Sequence, residues 1–445
     1  MMDENEANRI AVVGAGLGGA LMATTLTRAG YAVDLYERRA DPRGRNVGAG
    51  RSINLALSIR GTHALSRIDL DREVLAGAIR MPGRMIHSLS GRLAFQPYGR
   101  DRNDAINSVS RLDLNVALLN AAEACDGLRL FFNHKCVGAD VNSGALRFET
   151  TDAGEVVTIR PRFIVGADGA FSTVRAAMQR TDRFNYSQSY LRHGYKELTI
   201  PPGPGGVFAM EKNALHIWPR RSFMMIALPN RDGSYTCTLF WPFEGPFSFD
   251  ALKTDDDIRR FFTKHFPDAV PLMPTLVEDY RRNPVGSLAT VRCDPWYHRD
   301  RIVLLGDACH AVVPFYGQGA NAAFEDCTVL SACLADHAPD IERAFAAYHE
   351  TRKRHVDVLA DLAIGNFVEM RDRTGSAAFL LRKKGEKLLH RLLPRWYIPL
   401  YSMATFSRKP YADAKARAEF QTAVVKAAAV IAATLLLIAV IFALN

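Results

Sequence analysis

Apolar residues gather early in the chain into two short runs, IAVV at 10–13 and AVDLY at 32–36, separated by a glycine turn and an apolar segment of helical length. That order predicts strand, turn, helix and strand, the opening of a parallel α/β sheet. The same grammar returns in FIVGADGAFSTVR (163–175) and in RIVLLGDACHAVVPFYGQGANAAFEDCTVL (301–330), where a continuous apolar strand runs into glycine, one aspartate and small residues. Between them, ALHIWPR (214–220), MIALPN (225–230) and DGSYTCTLF (232–240) alternate with period two, which predicts a sheet with one buried face. PPGPGG at 201–206 marks a loop near the start of that region. Helical patterns follow from about 341 to 408, and residues 427–444 read AAAVIAATLLLIAVIFAL, with Thr434 as the one polar side chain.

This pattern predicts a discontinuous Rossmann-like α/β domain from residues 1–185 and 285–340, interrupted by a β-sheet domain at 186–284. A helical region at 341–422 and a membrane-anchor helix at 423–445 complete the chain. The 18 apolar residues make a helix roughly 27 Å long, close to the hydrocarbon thickness of a bilayer. The cations ahead of it, Arg408, Lys409, Lys415, Arg417 and Lys426, place the body on the cytosolic side; without a span the protein would be soluble and cytoplasmic. The polar start, MMDENEANR, leaves no room for a signal peptide before Ile10.

Composition narrows the function classes. With 445 residues, 48% hydrophobic and 23% charged, the chain is long enough for two or three domains. The net charge of +9 is spread without a recognition-helix or base-stacking pattern, so nucleic acid is not expected as a partner. Seven scattered cysteines, with no C-x-x-C pair, predict neither zinc nor a disulfide framework.

Gly14, Gly16 and Gly19 stand at G-x-G-x-x-G spacing between a strand and a helix. One glycine permits the turn, one lets backbone N–H groups approach a pyrophosphate, and one allows close helix packing. Glu37 ends the second strand 23 residues after Gly14, where its carboxylate can accept hydrogen bonds from a ribose. Arg38 and Arg39 suit either a 2′-phosphate or plain solvation. This motif alone leaves NAD and FAD open.

With the segments around Asp168 and Asp307 in the right order, the chain resembles the flavoprotein aromatic hydroxylases of the 4-hydroxybenzoate hydroxylase type. The resemblance implies a bound FAD, with the glycine turn on its adenosine diphosphate part and Asp307 on its ribityl chain. It also sets the Gly317–Asn321 backbone beside the flavin. The implied cofactor residues are Gly14, Gly16, Gly19, Glu37, Arg38, Ala56, Arg111, Asp168, Thr173, Asp307, Gly319, Ala320 and Asn321. A single glycine motif fits enzymes that meet NADPH as a co-substrate without a separate domain for it.

Further stretches resemble the kynurenine-hydroxylating branch of that family: GRSINLALSIRG (50–61), GRMIHSLSG with QPYG (83–99), YLRHGYKEL (190–198), NFVEMRD (366–372) and PLYSMATFS (399–407). This implies conversion of L-kynurenine to 3-hydroxy-L-kynurenine with NADPH and O2. It also implies a substrate-carboxylate site of Arg84, Tyr98, Asn366 and Tyr401. An arginine fork suits a carboxylate, and an apolar wall of Leu215, Ile217, Met225, Leu228 and Phe240 is expected at the aromatic end. No side chain is assigned as a catalytic base, and His310 is read as structural. The competing readings are a flavin hydroxylase for a phenolic acid and a non-catalytic binding protein on the same fold, comparable to the GDP-dissociation inhibitors. No metal is expected.

Overall fold

The computed structural model describes residues 8–44, 54–99, 104–151, 154–369 and 377–444. Its first sheet runs Leu128–Phe131, Val33–Tyr36, Ile10–Val13, Ile164–Gly166 and Ile302–Leu304, all parallel, with Tyr297–His298 antiparallel at one edge. Ile10–Val13 and Ile302–Leu304 are buried throughout, which is why they read as unbroken apolar runs rather than alternating ones. Three of these neighbouring strands end at Val13, Gly166 and Leu304, so the three glycine-and-aspartate segments emerge side by side at their carboxyl ends. In open parallel sheets that edge is where ligands bind.

The second sheet has seven strands, in the order Gly286–Asp294, Asn185–Ile200, Tyr235–Pro242, Met224–Pro229, Leu215–Pro219, Gly83–His87 and Leu93–Pro97. It therefore draws strands from outside 186–284. Gly83–His87 pairs parallel to Leu215–Pro219, with Arg84 opposite Leu215. One face covers an aromatic core that includes Trp218, Trp241, Phe261, Phe262 and Phe266, where Trp241 and Phe261 stack at 4.1 Å. Met225 lies in that core with Ala227, whereas Met224 and Leu228 face the other way. Met225 is thus removed from the expected pocket wall, because strand side chains alternate and its neighbours already occupy the pocket face.

Helix α1 (Leu17–Arg28) follows the glycine turn, and α2 (Gly319–Asp336) follows the Asp307 segment. Helix α3 (Ile341–Val368) opens with Asp340 accepting from the Arg343 N–H at 3.0 Å, a side-chain N-cap. Helices α4 (Ala377–Leu392), α5 (Leu400–Phe406) and α6 (Tyr411–Leu444) finish the chain. The apolar tail is thus the far end of one long helix. Tyr411 and Ala414 at its root are fully buried, whereas none of its apolar window is.

Candidate active site

The turn after Val13 is shaped by steric needs that only glycine meets. Gly14 has φ 102°, and a Cβ there would lie 2.5 Å from the Ala167 carbonyl oxygen. A Cβ on Gly19 would sit 1.8 Å from the Gly14 oxygen. Gly16, between them, would meet nothing within 4 Å. Two glycines thus press the turn against the Asp168 segment and α1, while the third faces open space. Glu37 is buried, with one carboxylate oxygen accepting from the Ala15 N–H at 3.0 Å and the other from Arg39 Nε at 2.8 Å. Arg38 is exposed.

Asp168 accepts from Ser172 Oγ at 2.5 Å and from the Thr173 N–H at 2.7 Å, so its carboxylate closes a loop onto the helix Thr173–Met178. Burial raises its carboxyl above the usual range. Asp307 differs. It follows Gly306 at φ 61°, and among the described residues none donates a hydrogen bond to its carboxylate. Its side chain is open to water, yet the surrounding protein raises its carboxyl, opposed by the charges of His310 and Arg111. A group both wetted and ringed by protein stands in a cleft.

Gly317, at φ 67° and 3.3 Å from the Ala56 methyl for any added Cβ, turns the chain into α2. The Asn321 side chain ties the loop before α2 to the 56–58 segment: Oδ1 accepts from the Ser58 N–H at 2.8 Å, and Nδ2 donates to the carbonyls of Ala56 (2.8 Å) and Gly317 (2.9 Å). The Asn321 amide thus braces the first turn of α2 against the Ala56–Ser58 segment. Both α1 and α2 start without a capping side chain or an acid in the first turn. Their first N–H groups are left for a ligand to satisfy. Open space at Gly16, an unpartnered Asp307 and two uncapped helix starts fit an extended, diphosphate-bearing dinucleotide.

On the substrate side, Arg84 lies 5.2 Å from the Tyr98 ring and 4.8 Å from the Tyr401 ring, measured from the guanidinium carbon. The two rings stack at 5.4 Å, and Tyr316 stands 5.4 Å from Tyr401. Arg84 Nε and the Tyr98 hydroxyl are sealed from water without a well-formed hydrogen bond, and the Tyr98 and Tyr401 hydroxyls lie near enough to the guanidinium to favour its charge. Burial drives the Tyr98 phenol far above its usual range, so it stays a hydroxyl donor at neutral pH. Asn366 Nδ2 donates to the Phe315 carbonyl at 2.6 Å, bracing the loop whose next residue, Tyr316, stands beside Tyr401. The apolar lining comes from Leu215, Ile226, Leu228 and Phe406 beside Tyr98, and from Ile217, Phe240 and Phe315.

Residues 8–363 match the family model described as FAD binding domain. The kynurenine 3-monooxygenase of Salinispora arenicola is 49% identical over 94% of this chain and 92% of its own length. That of Dictyostelium discoideum is 46% identical over 91% and 90%. The chain belongs to the kynurenine 3-monooxygenase family. Two solved structures share the fold at lower identity. They are 2-methyl-3-hydroxypyridine-5-carboxylic acid oxygenase (23% identity, TM-score 0.65, 84% of this chain and 95% of that one) and pqsL, a probable FAD-dependent monooxygenase from Pseudomonas aeruginosa (21%, 0.65, 84% and 100%).

In this kynurenine 3-monooxygenase family member, three supporting residues escape a reading of motifs. Asn115 Nδ2 donates to the Ala15 carbonyl at 3.0 Å, holding the glycine turn from the helix that begins at Arg111. Its position one turn after Arg111 was the available signal. Arg175 donates to the carbonyls of Ala308 (2.7 Å) and Ala170 (2.8 Å), tying the Asp168 and Asp307 segments together. Arg60 is fully buried, pairs with Glu325, donates to the Lys409 carbonyl and lies 4.1 Å from the Tyr411 ring. Nothing in its local sequence announces that role. His310 donates to Asp326 at 2.5 Å, and Asp326 is paired with Arg352 at 2.7 Å, so His310 belongs to a buried charge network.

Proposed function

We propose that this chain converts L-kynurenine to 3-hydroxy-L-kynurenine, with NADPH and O2 as co-substrates and FAD as resident cofactor. The observation that carries the substrate assignment is the pair of sealed donors left without a well-formed hydrogen bond, Arg84 Nε and the Tyr98 hydroxyl, beside the Tyr401 ring. Unsatisfied buried donors are costly unless a ligand completes them. An α-amino-acid carboxylate does so, and an aromatic ring then extends along the wall of Leu215, Ile226 and Phe240.

In this reading Gly16 and the start of α1 hold the diphosphate, Glu37 a ribose, Asp307 a hydroxyl of the connecting chain, and the Gly319–Asn321 backbone the flavin edge. Bound FAD supplies hydride acceptance and activation of dioxygen. The protein's own contribution is placement and exclusion of water. Arg84 and Tyr98 hold the carboxylate, Tyr401 packs the guanidinium, and Asn366 fixes the Phe315–Tyr316 loop. The amino group on the substrate ring activates the carbon beside it, so no protein base is assigned.

The far end of α6, within 423–445, anchors the enzyme in a membrane with its body on the cytosolic side. Support comes from the unburied apolar window and the cations before it. The test is one assay with purified protein, NADPH, O2 and L-kynurenine, quantifying 3-hydroxykynurenine against hydrogen peroxide. Hydroxylated product in excess of peroxide is expected. A preparation that hydroxylates a phenolic acid and leaves kynurenine untouched refutes the substrate.

A further inference from the structure

Helix α4 presents an apolar stripe that no part of the described chain covers. Leu381, Leu388 and Leu392 are 72%, 56% and 65% exposed. Spacings of seven and four residues put them on one side of the helix. Leu393 and Trp396 extend the stripe beyond the helix end, also exposed. The helix carries Arg382, Lys383, Lys384, Lys387 and Arg391 against a single acid, Glu386. A helix with a leucine stripe and a cationic remainder has the pattern of one lying in a bilayer interface.

Its position agrees. The Trp396 carbonyl accepts from Gln421 Nε2 at 2.5 Å, and the Arg395 carbonyl from Arg417 at 3.0 Å, both on α6. From Gln421 to the first residue of the apolar run at Ala427 is roughly 9 Å of helix, and a bilayer's headgroup layer is about 6–7 Å thick on each side. Phe420 and Val424, at the same level on α6, are exposed as well. The end of α4 is thus pinned at the depth where headgroups begin.

We propose that α4, with Leu393 and Trp396, lies on the membrane surface as a second contact with lipid, its exposed leucines in the acyl boundary of a bilayer whose anionic headgroups attract the basic sequence of 382–391. This rests on the reading of α6 as a membrane anchor. Because α4 connects α3, which carries Asn366, to α5, which carries Tyr401, the lipid surface bears directly on the part of the chain that closes the substrate pocket.

Trp396 makes the proposal testable in the full-length holoenzyme. The other three of the four tryptophans, Trp218, Trp241 and Trp296, are buried to 1% exposure or less. Protein reconstituted into phosphatidylcholine vesicles, with or without phosphatidylglycerol, is titrated with phosphatidylcholine brominated on its acyl chains. An alkaline wash before sedimentation reports separately on the α6 anchor. The expected result is a quenchable emission component that is stronger with phosphatidylglycerol and lost in Trp396→Phe. It should also be lost in Leu388→Glu/Leu392→Glu, while every variant still sediments with the vesicles. Wash-resistant protein with no Trp396-dependent quenching overturns the surface contact and leaves the anchor standing. Protein released by the wash overturns the anchor and this proposal with it. Trp396 shielded only in detergent-solubilised dimers identifies a second copy as the occupant and overturns the lipid assignment.

Discussion

Arg84→Met separates the carboxylate-clamp reading from a structural one. Methionine keeps much of the apolar stem and removes the guanidinium that lies 4.8 Å from the Tyr401 ring and 5.2 Å from that of Tyr98. Truncating one partner of a buried, hydrogen-bonded charge pair costs about 2–5 kcal/mol. At about 1.4 kcal/mol per decade, kynurenine affinity should fall by about 30-fold to several thousandfold. The free enzyme should change much less. Burial opposes the Arg84 cation, but the Tyr401 and Tyr98 side chains more than offset that, so its removal should cost about the 0.5–2 kcal/mol of a cation–π contact. The assays are titration of the bound flavin's absorbance with L-kynurenine and thermal unfolding with and without substrate. Wild-type enzyme should gain stability with substrate, by about 2.7 kcal/mol at a hundredfold excess over Kd. Arg84→Met should begin at a midpoint lowered only modestly and gain less than about 1 kcal/mol at that concentration. A Kd within threefold of wild type, or a substrate-induced gain equal to that of wild type, refutes the argument.

Gly16→Ala should fold and purify with its FAD site impaired, because the added methyl meets no protein atom and points where a diphosphate belongs; Gly19→Ala should fail to give folded protein, its methyl colliding with the Gly14 carbonyl. Circular dichroism and the ratio of flavin to protein absorbance distinguish the two. Asp307→Asn should weaken FAD by about 10- to 150-fold, the worth of a hydrogen bond to a charged acceptor. Burial raises the Asp307 carboxyl, and a ligand hydroxyl donating to it favours the carboxylate. Wild-type FAD affinity should therefore climb as pH rises through that elevated range, a dependence that Asn flattens; equal slopes would count against the assignment. Burial lowers His216 from 6.5 to about 4. The unfolded chain takes up a proton between those values that the fold refuses, so stability present above pH 6.5 declines by up to about 3 kcal/mol as pH falls toward 4. His216→Gln should lessen that slope in denaturant titrations, and parallel profiles would exclude His216 as its source.

Much of the cofactor side was legible because its requirements are local. A glycine with φ 102° and another 1.8 Å from a carbonyl, if given a Cβ, cannot be replaced freely, so the turn shows itself as spacing. Asp307 likewise follows its strand directly. The substrate side was legible only through resemblance. Arg84 sits on a strand, Tyr98 after the next, and Tyr401 on a helix 303 residues beyond Tyr98, and no periodicity relates them. The misreading of Met225 has the same origin. Period two says that alternate residues share a face, and only packing in one core with Trp218 and Trp241 says which face that is.

By itself, then, the order of residues determined the strand ends, the glycine turns and an apolar tail long enough to span a bilayer. Each depends on sterics or hydropathy within a few residues. Tertiary structure alone decided that three strand ends lie side by side, that Arg84 and Tyr98 keep donors without a well-formed hydrogen bond beside Tyr401, and that Arg60 holds the root of the last helix to the Glu325 helix. Those outcomes arise from packing between segments hundreds of residues apart, where burial and lost hydration set the energies and linear spacing carries no record of them.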